Sequence, residues 1–287
     1  MVATHERFSR FAAIDWSGAK GCQHRGIALA VCDQGDAAPT LISPSTRFWS
    51  RRGVLDWVRA QSDDIFIGFD FSFAPPFVTR GSYLPGDNVP EDARTFWRYV
   101  DQSCDDDDLG AASFLEIKHR RHFYFGVSDG AKADYMHNRT CEALYNAKGG
   151  GKVSTVYDVI GAAQVAKASF AGMRLLHQLG NSRAIWPLDP LPASGPLIAE
   201  IYTTIAARSA GIAKGRSKMR DGAALDAALR AIGSAPHIGL PHYSDHATDA
   251  ILTAAWLRAS AHRDDLWNPT ALTPKIAATE GWTFGIS

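Results

Sequence analysis

The sequence predicts an α/β protein in which a mixed sheet is flanked by helices. Two observations carry the prediction. Short apolar runs of strand length recur at Phe11–Asp15, Gly26–Val31 and Ile65–Asp70, and the last follows a segment with helical spacing, Gly53–Ala60. Strand, strand, strand, helix, strand is the order of a hairpin meander that crosses over into a mixed sheet. With 287 residues, 46% of them hydrophobic and 21% charged, the chain can also bury the core such a sheet needs.

The elements follow in order. Phe11–Asp15 reads as a buried strand and Gly26–Val31 as its hairpin partner; Thr40–Ser43 and Arg47–Ser50 compete for the third strand. Ile65–Asp70 is a strong short strand ended by Phe73-Ala-Pro-Pro76. From Thr79 to Lys152 the character changes, with an acidic run Asp105–Asp108, a basic run Lys118–His122 and the triplet Gly149–Gly151. This stretch is expected to be an insertion within a single domain spanning 1–287, mobile in places and bordering the functional cleft. A long amphipathic helix is predicted over Val156–Leu179, strands at Ala184–Trp186 and Leu197–Tyr202, and helices at Thr204–Ala213, Ala223–Ile232 and Ser244–His262.

Lys+Arg 30 against Asp+Glu 30 gives zero formal charge, so any polyanion would have to be met by a local patch. Cys22, Cys32, Cys104 and Cys141 form no CxxC pair, and no apolar run reaches the ~18 residues of a membrane span. Reduced thiols and a cytoplasmic location are the expectation, with no membrane partner.

Carboxylates stand where α/β sheets build chemistry. Asp15 ends an apolar strand and, by alternation, points with Ala13 and Ser17. Asp70 ends its strand in the same manner, sharing a face with Phe66 and Gly68, and Glu200 lies inside the strand that begins near Leu197. Any one of these alone is as well explained as a strand-end cap, and Glu200 by an ion pair with Arg208 or Lys214. Three on one sheet call for a compensating cation. Ser244 or Asp245 is a natural N-cap, after which His246 and Asp249 share one helical face. The helix dipole there is expected to keep His246 neutral and free to ligate.

Taken together, Ala13-Ile-Asp15-Trp-Ser-Gly-Ala-Lys20, Gly68-Phe-Asp70-Phe and His246-Ala-Thr-Asp249-Ala-Ile-Leu-Thr resemble the ribonuclease H-like nucleases, RuvC-type resolvases in particular. More narrowly, Ala199-Glu200-Ile-Tyr202 and Glu280-Gly-Trp282 resemble an uncharacterised bacterial family of predicted ribonuclease H-like nucleases, a domain of unknown function. The resemblance implies a ribonuclease H-like mixed sheet and a nuclease using two Mg²⁺ or Mn²⁺ ions. It makes Asp15, Asp70, His246 and Asp249 catalytic, with Asp15, Asp70 and Asp249 as metal ligands, and the place of Glu200 in its strand makes it a further candidate ligand. Asp70 stands where many resolvases carry glutamate, and Glu200 has no counterpart among their catalytic residues. Lys20 and the cluster Lys214, Arg216, Lys218 and Arg220 are the candidates for DNA or RNA phosphates, with Arg51-Arg52 and Lys118–His122 as further basic clusters. A homodimer is the form in which resolvases cut symmetric junctions. Two other readings stay open: an ATP-binding phosphotransferase of the actin-like or sugar-kinase class, with Asp15–Lys20 as phosphate hairpin, and an inactive nucleic-acid-binding relative.

Overall fold

Strands with alternating or continuous apolar faces bury themselves by pairing, and here they pair into one six-stranded sheet. In the computed structural model, which describes residues 7–160, 165–213 and 219–287, β1 (Arg10–Asp15), β2 (Ala28–Asp33) and β3 (Thr40–Leu41) form an antiparallel meander. Helix α1 (Arg51–Ala60) leads into β4 (Ile65–Asp70), which pairs parallel to β1. Then come α2 (Ala93–Gln102), α3 (Thr140–Ala147) and α4 (Val165–Leu179), followed by β5 (Ala184–Trp186) and β6 (Leu197–Glu200). Strand β6 inserts between β4 and β5, both parallel to it, giving the order β3-β2-β1-β4-β6-β5. Helices α5 (Thr203–Ser209), α6 (Gly222–Ala231), α7 (Asp245–Ser260), α8 (Asp264–Trp267) and α9 (Pro274–Thr279) complete the chain.

Period two sorts the sheet into two cores. Ala12, Ile14, Ile65, Ile67 and Phe69 face α1, α2 and α4, whereas Phe11, Ala13, Ala30, Phe66 and Ala199 face α5, α6 and α7. On the second face small residues meet small residues: Ala250 and Ala254 of α7 lie against the faces that carry Ala13 and Ala30, so helix and sheet approach closely. Gly68 belongs to this fit, because a Cβ there would sit 2.7 Å from the Ile201 side chain and 3.0 Å from that of Leu257. The four cysteines are free thiols, and no helix among the described residues is long and apolar enough to cross a membrane.

One expectation needs correction and two gain detail. The helix predicted from Val156 is recorded only over Val165–Leu179: Tyr157 turns, and Asp158 makes a bridge with Tyr124. Of the two candidates for the third strand, Thr40–Leu41 pairs with β2, while Trp49 makes only an isolated bridge to His24. The segment 79–152 is anchored by its aromatic residues. Phe96, Trp97, Phe114 and Phe123 are fully or nearly fully buried against α4, so most of the segment forms the outer part of the first core.

The acidic run shows why that segment is ordered. Asp106 accepts the Ser113 N–H at 2.9 Å. Asp108 is buried, and its carboxylate accepts the backbone N–H groups of Arg51 (2.9 Å) and Arg52 (3.0 Å) at the start of α1, where a helix welcomes negative charge. The same carboxylate meets His24 Nε2 at 2.9 Å. Arg51 in turn donates to the carbonyls of Ser17 (2.9 and 3.0 Å), Ala19 (2.6 Å) and Asp108 (3.1 Å). Arg51 is therefore spent on holding the loop after β1 and is closed to phosphate. Asp108 and Leu109 both take left-handed backbone conformations (φ 46° and 58°), each costing roughly 1–2 kcal/mol, and the bonds on Asp108 hold them there.

Burial pushes the Asp108 carboxyl upward, but the bonds from His24, Arg52 and Arg51 outweigh it and hold it below the ordinary value. Its contribution to stability is therefore complete above the unfolded value of ~3.9 and fades as pH falls through the lower folded value. Asp108→Asn, which tolerates the left-handed backbone, should lower unfolding free energy at pH 7 by about 1.5–3 kcal/mol. In urea titrations that difference should shrink toward pH 3 and below.

Candidate functional site

The parallel register of β1 and β4 places Asp15 directly beside Asp70. Residues paired across neighbouring strands share a face and stand about 4.8 Å apart, so two carboxylates end side by side on the face covered by α7. Both lie at the carboxyl ends of parallel strands, where open α/β sheets place their ligand clefts. Asp70 Oδ2 accepts a hydrogen bond from Thr203 Oγ1 at 3.1 Å, from the first residue of α5.

Helix α7 brings the third and fourth groups. Its N-cap Ser244 accepts the Ala247 N–H, which fixes the first turn over the end of β1. His246 Nδ1 then meets Asp15 Oδ1 at 3.1 Å. Asp249, one turn on, is near enough for its charge to act on both His246 and Asp70. The other imidazole nitrogen points toward Gly26 at the start of the β2 hairpin arm. A Cβ on Gly26 would stand 3.4 Å from His246 Nε2 and 3.1 Å from Ser17 Oγ, so the glycine leaves that nitrogen open. The structure thus brings together Asp15, Asp70, His246 and Asp249, which the sequence singled out, and adds Thr203, Gly26 and Ser17, which it did not.

The electrostatics are those of a site short of positive charge. Burial pushes the Asp15 carboxyl up, more than the hydrogen bond and charge of His246 pull it down. Burial likewise drives Asp70 well above the usual carboxylate range, and the charges of Asp15 and Asp249 add to it against Thr203. For His246 the dipole argument fails. Its hydrogen bond to Asp15, reinforced by the nearby carboxylates, outweighs burial and raises its pKa, against the direction the helix dipole alone would give.

Glu200 does not belong to this group. In register it pairs with Phe69, not Asp70, and so it lies on the opposite face of the sheet. There its carboxylate is saturated: Arg139 Nη1 donates to Oε2 at 2.6 Å, Arg139 Nη2 to Oε1, Phe73 N–H to Oε2 at 2.8 Å, and Thr283 Oγ1 to Oε1. The expected metal-ligand role is corrected to a buried ion pair, with Arg139 in place of Arg208 or Lys214. Glu280 plays a matching part. Fully buried, it accepts the N–H groups of Phe77, Val78 and Thr140, each at 2.8 Å, and so ties both ends of the intervening segment together.

Among the basic candidates, Lys214, Arg216 and Lys218 lie outside the described residues. Arg220 is exposed and its Nε is 3.9 Å from Asp245, beside His246. Thr248 Oγ1 donates to the Met219 carbonyl at 3.2 Å, which pins this stretch to the first turn of α7. Lys20 is exposed and paired with Glu116 at 2.9 Å. Residues 18–21 line a cavity of about 190 Å³ whose wall mixes Asp106 and Asp107 with Lys20, Lys167 and the already engaged Arg51. The run Lys118–His122 is likewise occupied, by Ser103, Asp129 and Asp87. From the 79–152 segment, α3 comes toward the acid site: Tyr145 meets Tyr202 edge-on at 5.9 Å, and Tyr202 feels the charge of Asp70.

Comparison with known protein families, with curated proteins and with solved structures finds no match to this chain.

The two acid systems should respond oppositely to loss of charge. Asp70→Asn keeps the shape and removes a carboxylate from a repelling group, so in metal-free buffer it should melt at an equal or higher temperature than the parent. Glu200→Gln leaves Arg139 with a buried, undercompensated charge and should cost about 3–5 kcal/mol in urea unfolding. Equal destabilisation by the two changes would contradict the assignment.

Proposed function

We propose that this chain is a metal-dependent nuclease of ribonuclease H-like fold, hydrolysing phosphodiester bonds at the group Asp15, Asp70, His246 and Asp249. The observation that carries the reading is the in-register pairing of Asp15 with Asp70, with His246 bonded to the first. The antiparallel meander followed by a parallel β4, with α7 laid on β1 and β2, supports the fold assignment. A divalent ion suits the donor set. Crowded, partly buried carboxylates whose protonation is favoured by burial and mutual charge gain most from a cation, and Mg²⁺ and Mn²⁺ prefer such hard oxygens. Asp15, Asp70 and Asp249 would be the residues that hold the ions. Such ions, when bound, activate water and stabilise the attacking and leaving oxygens of an in-line displacement.

The chain's own groups supply the remainder. Asp15 orients His246 through Nδ1 and leaves Nε2, open over Gly26, as the atom that holds or releases a proton near the scissile phosphate. Thr203 fixes the Asp70 carboxylate. Arg220, beside Asp245 at the start of α7, offers a guanidinium for a flanking phosphate, with nucleic acid, DNA or RNA, as the expected partner.

The test uses labelled single-stranded, duplex and four-way-junction DNA, and RNA, with Mg²⁺ or Mn²⁺. Cleavage should require the metal and vanish in Asp15→Asn, and His246→Gln should lower it by about 10²–10⁴-fold. Mn²⁺ should also raise the melting temperature of the parent but not of Asp15→Asn, because an ion bound to the native state stabilises it by about 2.7 kcal/mol at 100 times its Kd. A parent whose melting temperature ignores Mn²⁺ refutes the reading.

A further inference from the structure

We propose that Asp87, His119 and His122 form a separate Zn²⁺ site in the segment between β4 and α4. The three side chains come from two places in the sequence, the turn after Leu84 and the basic run, and their ligand atoms all lie within 4.8 Å of one another. Asp87 Oδ2 is 2.8 Å from His119 Nδ1 and 2.8 Å from His122 Nε2. Around a tetrahedral ion with Zn–N and Zn–O bonds of about 2.0–2.1 Å, ligand atoms stand roughly 3.3 Å apart, so a small outward adjustment admits the ion. The side chains of His119 and His122 are only 6% and 8% exposed, which leaves little water to compete for their lone pairs.

Two further features point to a cation. His122 Nε2 faces both the Asp87 carboxylate at 2.8 Å and Arg121 Nε at 3.2 Å. With a proton on Nε2 it satisfies Asp87 and confronts the Arg121 N–H; with a lone pair it accepts from Arg121 and confronts the carboxylate. A metal ion accepts both the lone pair and the carboxylate and ends the conflict. Arg121, 62% exposed, also pairs with Asp87 Oδ1, the carboxylate oxygen other than the one that faces the two histidines. Behind His119, the second ring nitrogen meets Tyr99 Oη at 2.9 Å, the outer hydrogen bond by which proteins commonly orient a metal-bound imidazole. Two imidazoles and one carboxylate suit Zn²⁺ and leave a fourth position for water.

The site is independent of the sheet's acid group. His119 packs on Phe114, in the core shared with α4, whereas Asp15 and Asp70 face α7. An ion there would clip the turn bearing Asp87 to the turn bearing both histidines. The experiment uses the untagged chain after removal of metals with a chelator. Zn²⁺ is titrated against a chromophoric chelator, and Co²⁺ is followed by its visible absorption. The parent should take up one equivalent of Zn²⁺ with sub-micromolar affinity and give the absorption of four-coordinate Co²⁺, and Asp15→Asn should do the same. His119→Gln/His122→Gln should lose that equivalent, and Tyr99→Phe, which keeps all three ligands, should bind about 10–100-fold more weakly. Absence of a tight equivalent in the parent overturns the proposal, as does a double variant or a Tyr99→Phe variant that binds like the parent. Loss of Mn²⁺-dependent cleavage in Asp15→Asn with Zn²⁺ uptake intact separates this site from the proposed nuclease centre.

Discussion

Two carboxylates set side by side by the pairing of β1 with β4 are the constraint around which the functional half of the molecule is arranged. Neither strand can shift by one residue, because a slip of one would turn Ala13, Phe66 and Gly68 from the α7 face to the other core. The register that buries the apolar residues is therefore the register that forces Asp15 against Asp70. The fold does not relieve the crowding fully. His246 and Thr203 each satisfy one oxygen, yet burial still favours the protonated carboxyls. A group that the surrounding structure holds in an unfavourable state is where chemistry is to be sought.

Elsewhere the same chain buries acids without that tension. Glu200 has Arg139 in a two-pronged ion pair, and Arg139 also serves Glu142, its Nε donating at 2.9 Å. Burial works against the Arg139 charge, and Glu142 and Glu200 more than compensate. Glu280 receives three backbone N–H groups. These acids are complete and join the chain's last residues, the start of the long segment and α3 to the sheet edge. The contrast between saturated and crowded carboxylates separates architecture from candidate site more sharply than burial does, since Asp15 is buried as Glu200 and Glu280 are.

Much of this was legible in the sequence. Period-two alternation places Asp15 and Asp70 at strand ends, and the spacing of His246 and Asp249 places both on one helical face; these need only local geometry. Glu200 was misassigned because its face depends on pairing with Phe69, a register that sequence parity within one strand does not contain. Its partner Arg139 lies 61 positions away, in a segment whose charge runs suggested solvent. The same runs hid Asp108 as a helix cap and Arg51 as a loop clamp, because composition does not reveal which member of a run turns inward. The spacing of His119 and His122 was a metal-ligand signal, masked by the lysine and arginines around it.

On the proposed nuclease reading, a chain of zero formal charge would address a polyanion through the cations its acid group holds. Near the acid group a phosphate backbone would meet Asp15, Asp70, Asp245 and Asp249, with Arg220 beside Asp245. Approach is repelled until cations fill the cleft. Once they do, the carboxylates become the means of holding the very charge that attracts phosphate, and Arg220, anchored through Met219 to the first turn of α7, lies at its margin. Selectivity for a metal-loaded site then needs no global basic field. It follows from carboxylates that the strand register does not let move apart.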